Sequence, residues 1–210
     1  MRVWSYVITT DRGSAPNFEA PAVTLTVCKP RIRRNARVGD LVLAFNGKRL
    51  SKNPHSLRWA GVVSEVLPLE QYWADRRFRG KRPDRSPVPD NIYRLDGGLW
   101  HQEPNATHDE SNVATDLSGR NVLVFGAAWY FGDTQPNLPE VFDLRVSMNG
   151  RRNEPLRQIG SDEWCTLRKW LGERDVGLPV AANKSTPFCN VSRIPRSPAL
   201  APKRSREKCY

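Results

Sequence analysis

The stretch from Pro83 to Gly119 concentrates side chains that can move protons or read the edge of a polar ligand. Asp90 could act as a base that activates water, and His108 titrates close to neutral pH. Asn91 and Gln102 each present a hydrogen-bond donor and an acceptor. Ordinary turn chemistry is the alternative for Asp90 and Asn91, because short polar side chains often bond to nearby backbone N–H groups.

A metal site is a second reading of this stretch. Its ionisable side chains within ten residues are His101, Glu103, His108, Asp109 and Glu110. Their spacing does not match a metal-ligand pattern such as H-E-x-x-H, so we predict neither a metal nor another cofactor. The sequence also lacks a P-loop, a G-x-G-x-x-G and a G-x-S-x-G motif. ATP-driven chemistry, dinucleotide redox chemistry and serine hydrolysis are therefore disfavoured.

A strongly cationic segment precedes one of the apolar runs of the chain. Its basic residues are Lys29, Arg31, Arg33, Arg34 and Arg37. In an extended chain Lys29, Arg31 and Arg33 would share one face and could follow successive phosphates. The alternative is a solvated loop that Ile32 anchors to the core.

The net charge also indicates a polyanionic partner. The 210 residues include 33 Lys and Arg against 22 Asp and Glu, a formal charge of +11. Nucleic acid is the leading candidate. From Ala181 onward seven basic residues stand against one Glu, so the C-terminal segment supplies six of the eleven charges. We predict one domain over residues 1–178 and a flexible basic tail over residues 179–210.

The sequence predicts that the secondary-structure elements that position these side chains form an α+β fold, with a mixed or mainly antiparallel sheet and flanking helices. The runs with strand character are 3–9, 23–28, 41–45, 59–67 and 121–131. Short helices are predicted after Pro68 and from Ser161 to Gly172. The stretch 83–119 reads as mainly irregular, which in a compact domain indicates function or disorder.

Aromatic side chains supply flat surfaces for stacking on a base. The candidates are Tyr6, Trp59, Tyr93, Trp100, Trp129 and Tyr130. Core packing is the more common role for Trp59, because it lies within a strand pattern. Trp100 lies in the glycine-rich segment GGLWHQE, where periodic burial explains it less easily.

The remaining candidates lie near the first strand and at the cysteines. Asp11 and Asn17 occur in the turn-forming sequence DRGSAPN directly after that strand. The four cysteines are widely spaced without a C-x-x-C pair, so we interpret them as reduced thiols. No apolar run approaches the roughly 18 residues of a membrane span, and the start lacks a secretory pattern. We therefore expect a cytoplasmic protein that does not bind membranes.

Two family resemblances narrow these readings. VGDLVL (38–43) followed by AGVVSEV (60–66) resembles the PUA-like superfamily, particularly its EVE-type members. That resemblance implies a small barrel with a pocket for a single nucleobase.

The longer resemblance is to the second nucleotide modification associated domain. It rests on SYVITTDRGSAPN (5–17), VTLTVCKPRIRRNARVGD (23–40), QYWADRRFRGKRP (71–83), DNIY (90–93), Trp100, Gln102, His108 and YFG (130–132). It runs from the first strand to about Pro139. The resemblance implies a link to bacterial and phage systems that hypermodify DNA bases, and so a nucleic-acid partner.

The sequence thus predicts a DNA-binding module for a modified or flipped base, associated with DNA modification or phage defence. The five basic residues would hold the backbone, and a base pocket would comprise Tyr6, Asn17, Asn91, Tyr93, Trp100, Gln102 and Tyr130. The alternative is an enzyme on the same substrate, such as a glycosylase or other hydrolase, with Asp90 or Asp11 activating water and His108 assisting. A protein-interaction or inhibitor function is a third reading.

Overall fold

The computed structural model describes residues 1–142 and 155–177. The strands are β1 (Arg2–Ile8), β2 (Val23–Leu25), β3 (Leu41–Asn46), β4 (Leu57–Pro68), β5 (Tyr93–Asp96), β6 (Leu99–Gln102), β7 (Asn121–Tyr130) and β8 (Pro155–Gln158). The α-helices are α1 (Pro30–Asn35), α2 (Leu69–Ala74), α3 (Glu110–Leu117) and α4 (Ser161–Arg174). Short 3-10 helices span Arg76–Lys81, Gly132–Thr134 and Glu140–Phe142.

The central sheet is mixed, with most of its pairs antiparallel. Its order is β2-β7-β4-β3-β1-β8, and β1 and β3 form a parallel pair. β3 is buried along its whole length, because apolar clusters cover both faces of the sheet at this point. The predicted α+β class is confirmed. Among the described strands the sheet stays open at β2 and β8 and does not close into a barrel.

Helices pack on both faces of this sheet. Leu167 and Leu171 of α4 join Leu41, Leu43 and other residues of one cluster, whereas Ile32 of α1 packs with Val42 on the opposite face. This alternation follows from the two-residue period of a strand. The face that carries α1 therefore lies away from α4.

A third apolar cluster holds the middle of the chain against the β2–β7 edge of the sheet. It joins Leu69 and Tyr72 of α2 to Ile92, Tyr93 and Val122. β5 and β6 form a hairpin, with Gly97 and Gly98 at its turn, both at positive φ. Two consecutive positive φ angles are what a two-residue hairpin turn of this hand requires.

The structure corrects two local expectations. The stretch 83–119 is not mainly irregular, since it contains the β5–β6 hairpin and α3. The cationic segment is not extended, because residues 30–35 form α1, with Pro30 in its first turn. Lys29, Arg31 and Arg33 therefore do not share a face. The helix predicted from Ser161 is confirmed, although it continues past Gly172 to Arg174.

None of the helices in the described ranges is long and apolar enough to cross a membrane. The predicted tail over residues 179–210 lies outside the described residues, so the domain boundary stays a prediction.

Candidate functional site

A cavity of about 270 Å³ opens beyond the end of β1, on the α1 side of the sheet. Its lining residues are Ile8, Thr9, Thr10, Arg12, Ser14, Ala15, Cys28, Lys29, Thr107 and His108. Thr9, Thr10 and Arg12 are exposed at its mouth, whereas Ile8 and Ser14 are buried. The cavity therefore combines a solvent-facing entrance with hydroxyl, cationic and thiol groups.

A thiol, an imidazole and a carboxylate meet at this cavity. The distance from Cys28 Sγ to His108 Nε2 is 3.5 Å, and that from His108 Nδ1 to Asp116 Oδ2 is 2.6 Å. A carboxylate only accepts hydrogen bonds, so Nδ1 carries a proton and donates it to Asp116. Nε2 consequently faces the thiol. This is the order of groups found in nucleophile, base and orienting-acid arrangements.

The surroundings of His108 favour its charged form. Burial by itself lowers the pKa of His108, but hydrogen bonds to Asp116 and Cys28, together with the charges of both, raise it to about 9. An imidazolium beside Cys28 stabilises a thiolate by direct ion pairing. The surroundings therefore keep His108 in its charged form at neutral pH, beside the thiol of Cys28.

Cys28 lies where the chain turns from β2 into α1. Its φ is 57° and that of Lys29 is 43°, so two successive residues with side chains occupy the left-handed region. Such conformations cost of order 1–3 kcal/mol each and persist where the surroundings impose them. A sharp turn between a strand and a helix also exposes its side chain toward a ligand, as in nucleophile elbows.

Arg33 fixes this turn from inside the protein. It is fully buried, and its Nε donates to the Cys28 carbonyl at 2.7 Å. Its Nη1 donates to the Asn121 carbonyl at 3.0 Å, and its Nη2 donates to the Asp116 carbonyl. Arg33 therefore connects the cysteine turn with the end of α3 and the start of β7.

The carboxylate of Asp116 is held by several donors. Its Oδ1 accepts from the Cys28 N–H at 2.7 Å, and its Oδ2 also accepts from the Tyr93 hydroxyl at 2.9 Å. Gln102 Nε2 in turn donates to the Tyr93 hydroxyl at 3.0 Å. With 1% of its side chain exposed, Asp116 has a fixed orientation toward His108.

The start of α3 places His108 within this network. Asp109 caps the helix, accepting at Oδ1 from the Ser111 N–H at 2.9 Å, while Asn112 Oδ1 accepts from the Asp109 N–H at 3.1 Å. This reciprocal pair is a capping box. His108 thus lies directly before the N-cap of α3, and Asp116 lies in the last turn of the same short helix.

Lys29 provides positive charge beside the thiol. Its Nζ lies 4.6 Å from the centre of the Tyr6 ring and 3.4 Å from the Val7 carbonyl oxygen. Tyr6 is fully buried, and its hydroxyl accepts from Trp59 Nε1 at 2.9 Å. Lys29 therefore covers the Tyr6 ring at the cavity wall.

Asp90, a predicted catalytic base, lies in a different, buried network. It is fully buried and accepts from the hydroxyls of Thr24 at 2.6 Å, Thr26 at 2.9 Å and Tyr72 at 2.9 Å. Lys81 Nζ donates to Thr24 Oγ1 at 2.8 Å. These contacts join β2, α2 and the segment before β5.

Two predicted pocket residues extend this buried network. Lys81 Nζ also donates to Asn17 Oδ1 at 2.8 Å. Asn91 donates to the carbonyls of Tyr72 at 3.2 Å and Phe78 at 3.3 Å. Both Asn17 and Asn91 are buried and do not line the cavity.

Other predicted site residues do not line the cavity. Asp11 accepts from Arg58 Nε at 2.9 Å, and Arg58 lies 5.3 Å from the centre of the Tyr130 ring. Trp100 is partly buried against the third apolar cluster. No aromatic side chain is among the described residues that line the cavity.

The basic residues separate into two groups. Arg31, Arg34 and Arg37 are exposed on and after α1, whereas Arg33 is buried. Because Lys29 lines the cavity and α1 starts at the next residue, the exposed arginines follow the cavity wall directly along the chain. The structure thus brings Lys29 and His108 together and leaves most other predicted residues apart.

Cys28 and Asp116 are functional candidates that the sequence does not single out. The wide spacing of the cysteines in the sequence indicates that Cys28 is an ordinary reduced thiol. Its position between a strand pattern and Pro30, however, is a signal for a strand-turn-helix elbow. Asp116 lies on α3, a helix that the sequence pattern does not predict. Without α3 the sequence cannot place this carboxylate beside His108.

The same three groups are the donors that a metal site would use. Their ligand atoms lie within 4.8 Å of one another. Asp116, however, already accepts from the Cys28 N–H, from His108 and from Tyr93. This carboxylate is therefore arranged to orient the histidine, which fits a metal ligand poorly.

The fold and the site together define an α+β protein with an open mixed sheet and a thiol, an imidazole and a carboxylate beside a small cavity. The chain belongs to the family described as nucleotide modification associated domain 2, whose sequence model matches residues 1–188. The predicted family is thereby confirmed, and the match extends well beyond Pro139. No curated protein and no solved structure matched the chain.

Proposed function

We propose that this chain is a DNA-binding module that captures a single modified or flipped base in the cavity beyond β1. The observation that carries the proposal is the cavity itself, with Lys29 in its wall and Arg12 at its mouth. Membership of a nucleotide modification family makes a nucleotide the first ligand to consider. The cations would hold phosphate oxygens while the base enters.

The size of the cavity supports a small ligand. Pockets for drug-sized molecules measure roughly 300–1,000 Å³, and this one measures about 270 Å³. Hydroxyl groups of Thr9, Thr10 and Ser14 offer donors and acceptors for polar base edges. Because the described lining has no aromatic ring, recognition in this proposal depends on polar contacts and shape more than on stacking.

The direct test is fluorescence anisotropy with labelled DNA that carries either cytosine or 5-hydroxymethylcytosine at one position. We expect the modified strand to bind at least about tenfold more tightly, a difference of about 1.4 kcal/mol. Thr10→Trp should fill the mouth of the cavity and remove this preference. Thr166→Trp is the matched control, since Thr166 is also exposed but lies on α4, across the sheet.

Equal affinity for both strands, unchanged by Thr10→Trp, would contradict the proposal and leave only charge-driven binding. Binding of protein partners that persists at high salt would favour the protein-interaction reading instead, since phosphate contacts weaken steeply with salt. Release of a free base, lost on Asp90→Asn with the fold intact, would favour the glycosylase reading.

Arg34 provides a second test, of how the backbone is held. It is exposed on α1 close along the chain to Lys29. Arg34→Glu should weaken binding to plain and modified DNA by a similar factor, with a reduced salt slope. Lys169→Glu makes the same charge change on α4, where 81% of the lysine side chain is exposed, and should have a much smaller effect. Equal losses for the two variants would assign the effect to overall charge.

A further inference from the structure

We propose that Cys28 is the nucleophile of an acyl-transfer centre, with His108 as general acid and base and Asp116 as its positioning residue. The substrates would be acyl groups carried on a nucleotide or its modified base as an amide or ester. The choice of nucleotide substrates rests on the proposed function, whereas the nucleophile itself does not.

Four independent features of the structure support a nucleophilic Cys28. The three groups are in hydrogen-bonding sequence, with Sγ 3.5 Å from Nε2 and Nδ1 2.6 Å from Oδ2. Cys28 and His108 both line the cavity. Cys28 and Lys29 are held at positive φ in a turn between a strand and a helix. Buried Arg33 then fixes the carbonyls of both Cys28 and Asp116.

The other described cysteine provides an internal comparison. Cys165 is exposed on α4, and within the described residues it belongs to no such cluster. A structural thiol would need no oriented imidazole, and a buried core cysteine would not face a cavity. The features of the Cys28 surroundings are thus those that lower the barrier to nucleophilic attack.

The chemistry balances with water as the only co-reactant. The Cys28 thiolate attacks the acyl carbon and forms a C–S bond. The bond to the nitrogen or oxygen leaving group then breaks, and that atom keeps the electron pair and receives the proton of His108 Nε2. Water next attacks the thioester and gives a proton to Nε2, the C–S bond breaks, and the carboxylic acid leaves with the thiolate and imidazolium restored. The cationic Lys29 at the cavity wall can stabilise the negative charge that develops on the carbonyl oxygen.

The first test uses p-nitrophenyl acetate and no nucleic acid. The reference is the full chain in which Cys165, Cys189 and Cys209 are replaced by Ser, so that Cys28 is the single thiol. We expect a rapid release of one p-nitrophenolate per chain, a hydroxylamine-labile acetyl group on Cys28 by mass spectrometry, and slower turnover. The comparison variant keeps only Cys165 and should react at the rate of free cysteine.

Variants of the other two groups separate catalysis from simple thiol exposure. His108→Gln should slow acylation roughly 100-fold, because it removes the imidazolium that pairs with the Cys28 thiolate and protonates the leaving group. Asp116→Asn should move the alkaline limb of the rate profile to lower pH, because it removes a charge that favours the imidazolium. If Asp116→Asn does not fold, His108→Gln still decides, with circular dichroism as the check on its fold.

Several outcomes would overturn the proposal. One is acylation of Cys28 no faster than that of Cys165, and another is acylation that His108→Gln leaves unchanged. A third is stoichiometric zinc in the purified protein that protects Cys28 from alkylation, which would make the cluster a metal site.

The substrate class is tested separately on a single-stranded DNA that carries one N4-acetylcytosine. We expect the protein to bind this DNA by anisotropy and to release acetate from it, and Cys28→Ser to release none. A burst with p-nitrophenyl acetate but no acetate from the DNA would overturn nucleotide acyl groups as substrates. If the protein gives the p-nitrophenolate burst but does not bind DNA, the proposed function is contradicted. The assignment of Cys28 as a nucleophile would then still stand.

Discussion

At the scale of single residues, the protonation of His108 decides the charge of the cluster formed by Cys28, His108 and Asp116. At neutral pH this cluster contains an imidazolium. Burial opposes the charge, but the hydrogen bonds and charges of Asp116 and Cys28 outweigh it and raise the pKa to about 9. A histidine in an unfolded chain titrates near 6.5. Between about pH 6.5 and about pH 9, the folded protein therefore keeps a proton on His108 that the unfolded chain has released.

This difference predicts a pH dependence of stability. A raised pKa stabilises the folded state fully below about pH 6.5, and the contribution is lost as pH rises through about 9. We expect the Tm difference between the protein and His108→Gln to shrink steadily over that interval. Thermal unfolding by circular dichroism at each pH measures it, and NMR titration of the His108 ring gives the pKa directly. A difference that is constant with pH would contradict the raised pKa.

Asp90 illustrates the opposite residue-scale case, a carboxylate used for structure. It lies beside buried Lys81, whose pKa burial lowers to about 8 although the charges of Asp90 and Glu19 raise it. Asp90→Asn removes the charge that most strongly offsets the burial of Lys81 and should destabilise the fold by about 3 kcal/mol. Asp96→Asn, at an exposed ion pair with Arg94, should cost under about 1 kcal/mol. Urea unfolding compares the two, and equal costs would refute the structural role.

At the scale of elements, the cluster depends on how the β2–α1 turn meets the end of α3. Arg33 makes this connection through three backbone carbonyls. Gly119 lies directly against its guanidinium, and a Cβ at this glycine would come within 2.3 Å of Arg33 Cζ. Such a contact requires Arg33 to move, so the local geometry leaves room for glycine alone.

We therefore expect Gly119→Ala to disturb the cluster without touching any of its three groups. Displacing Arg33 should slow acylation of Cys28 by p-nitrophenyl acetate about tenfold or more and lower Tm by several degrees. Gly80→Ala is the matched control, because a Cβ there would have no neighbour within 4 Å. Similar behaviour of the two variants would show that Arg33 does not hold the cysteine turn.

At the scale of the whole molecule, the net positive charge is divided between residues 1–178 and the C-terminal segment 179–210. Residues 179–210 carry seven Lys or Arg and one Glu, whereas the described residues that line the cavity all precede Asp109 in the chain. A basic segment of this composition adds sequence-independent affinity for phosphates. Removal of residues 179–210 should therefore lower the affinity for DNA without removing the preference for a modified base.

Deletion of residues 179–210 should weaken binding to plain DNA and flatten its salt dependence. The slope should fall by roughly 0.7–0.9 for each phosphate that the segment neutralises in the full chain. Tm and the acylation of Cys28 should stay unchanged. Anisotropy titrations at several salt concentrations measure the slope for both chains. Unfolding that is no longer cooperative after truncation would instead place part of this segment in the folded domain.

The sequence alone predicts the α+β class, the main buried strands and the family, and it indicates a polyanionic partner. These properties follow from the local hydrophobic pattern, the order of the motifs and the net charge. His108 and Lys29 could also be predicted as site residues from the sequence, but only the folded structure shows which groups surround them. Asp90 and Asn91 look like site residues in sequence but are buried among hydroxyls and carbonyls. Cys28 and Asp116 are 88 residues apart, and their meeting requires α3, which the sequence pattern does not indicate. Contacts between distant segments depend on how elements pack, and no local pattern records that packing.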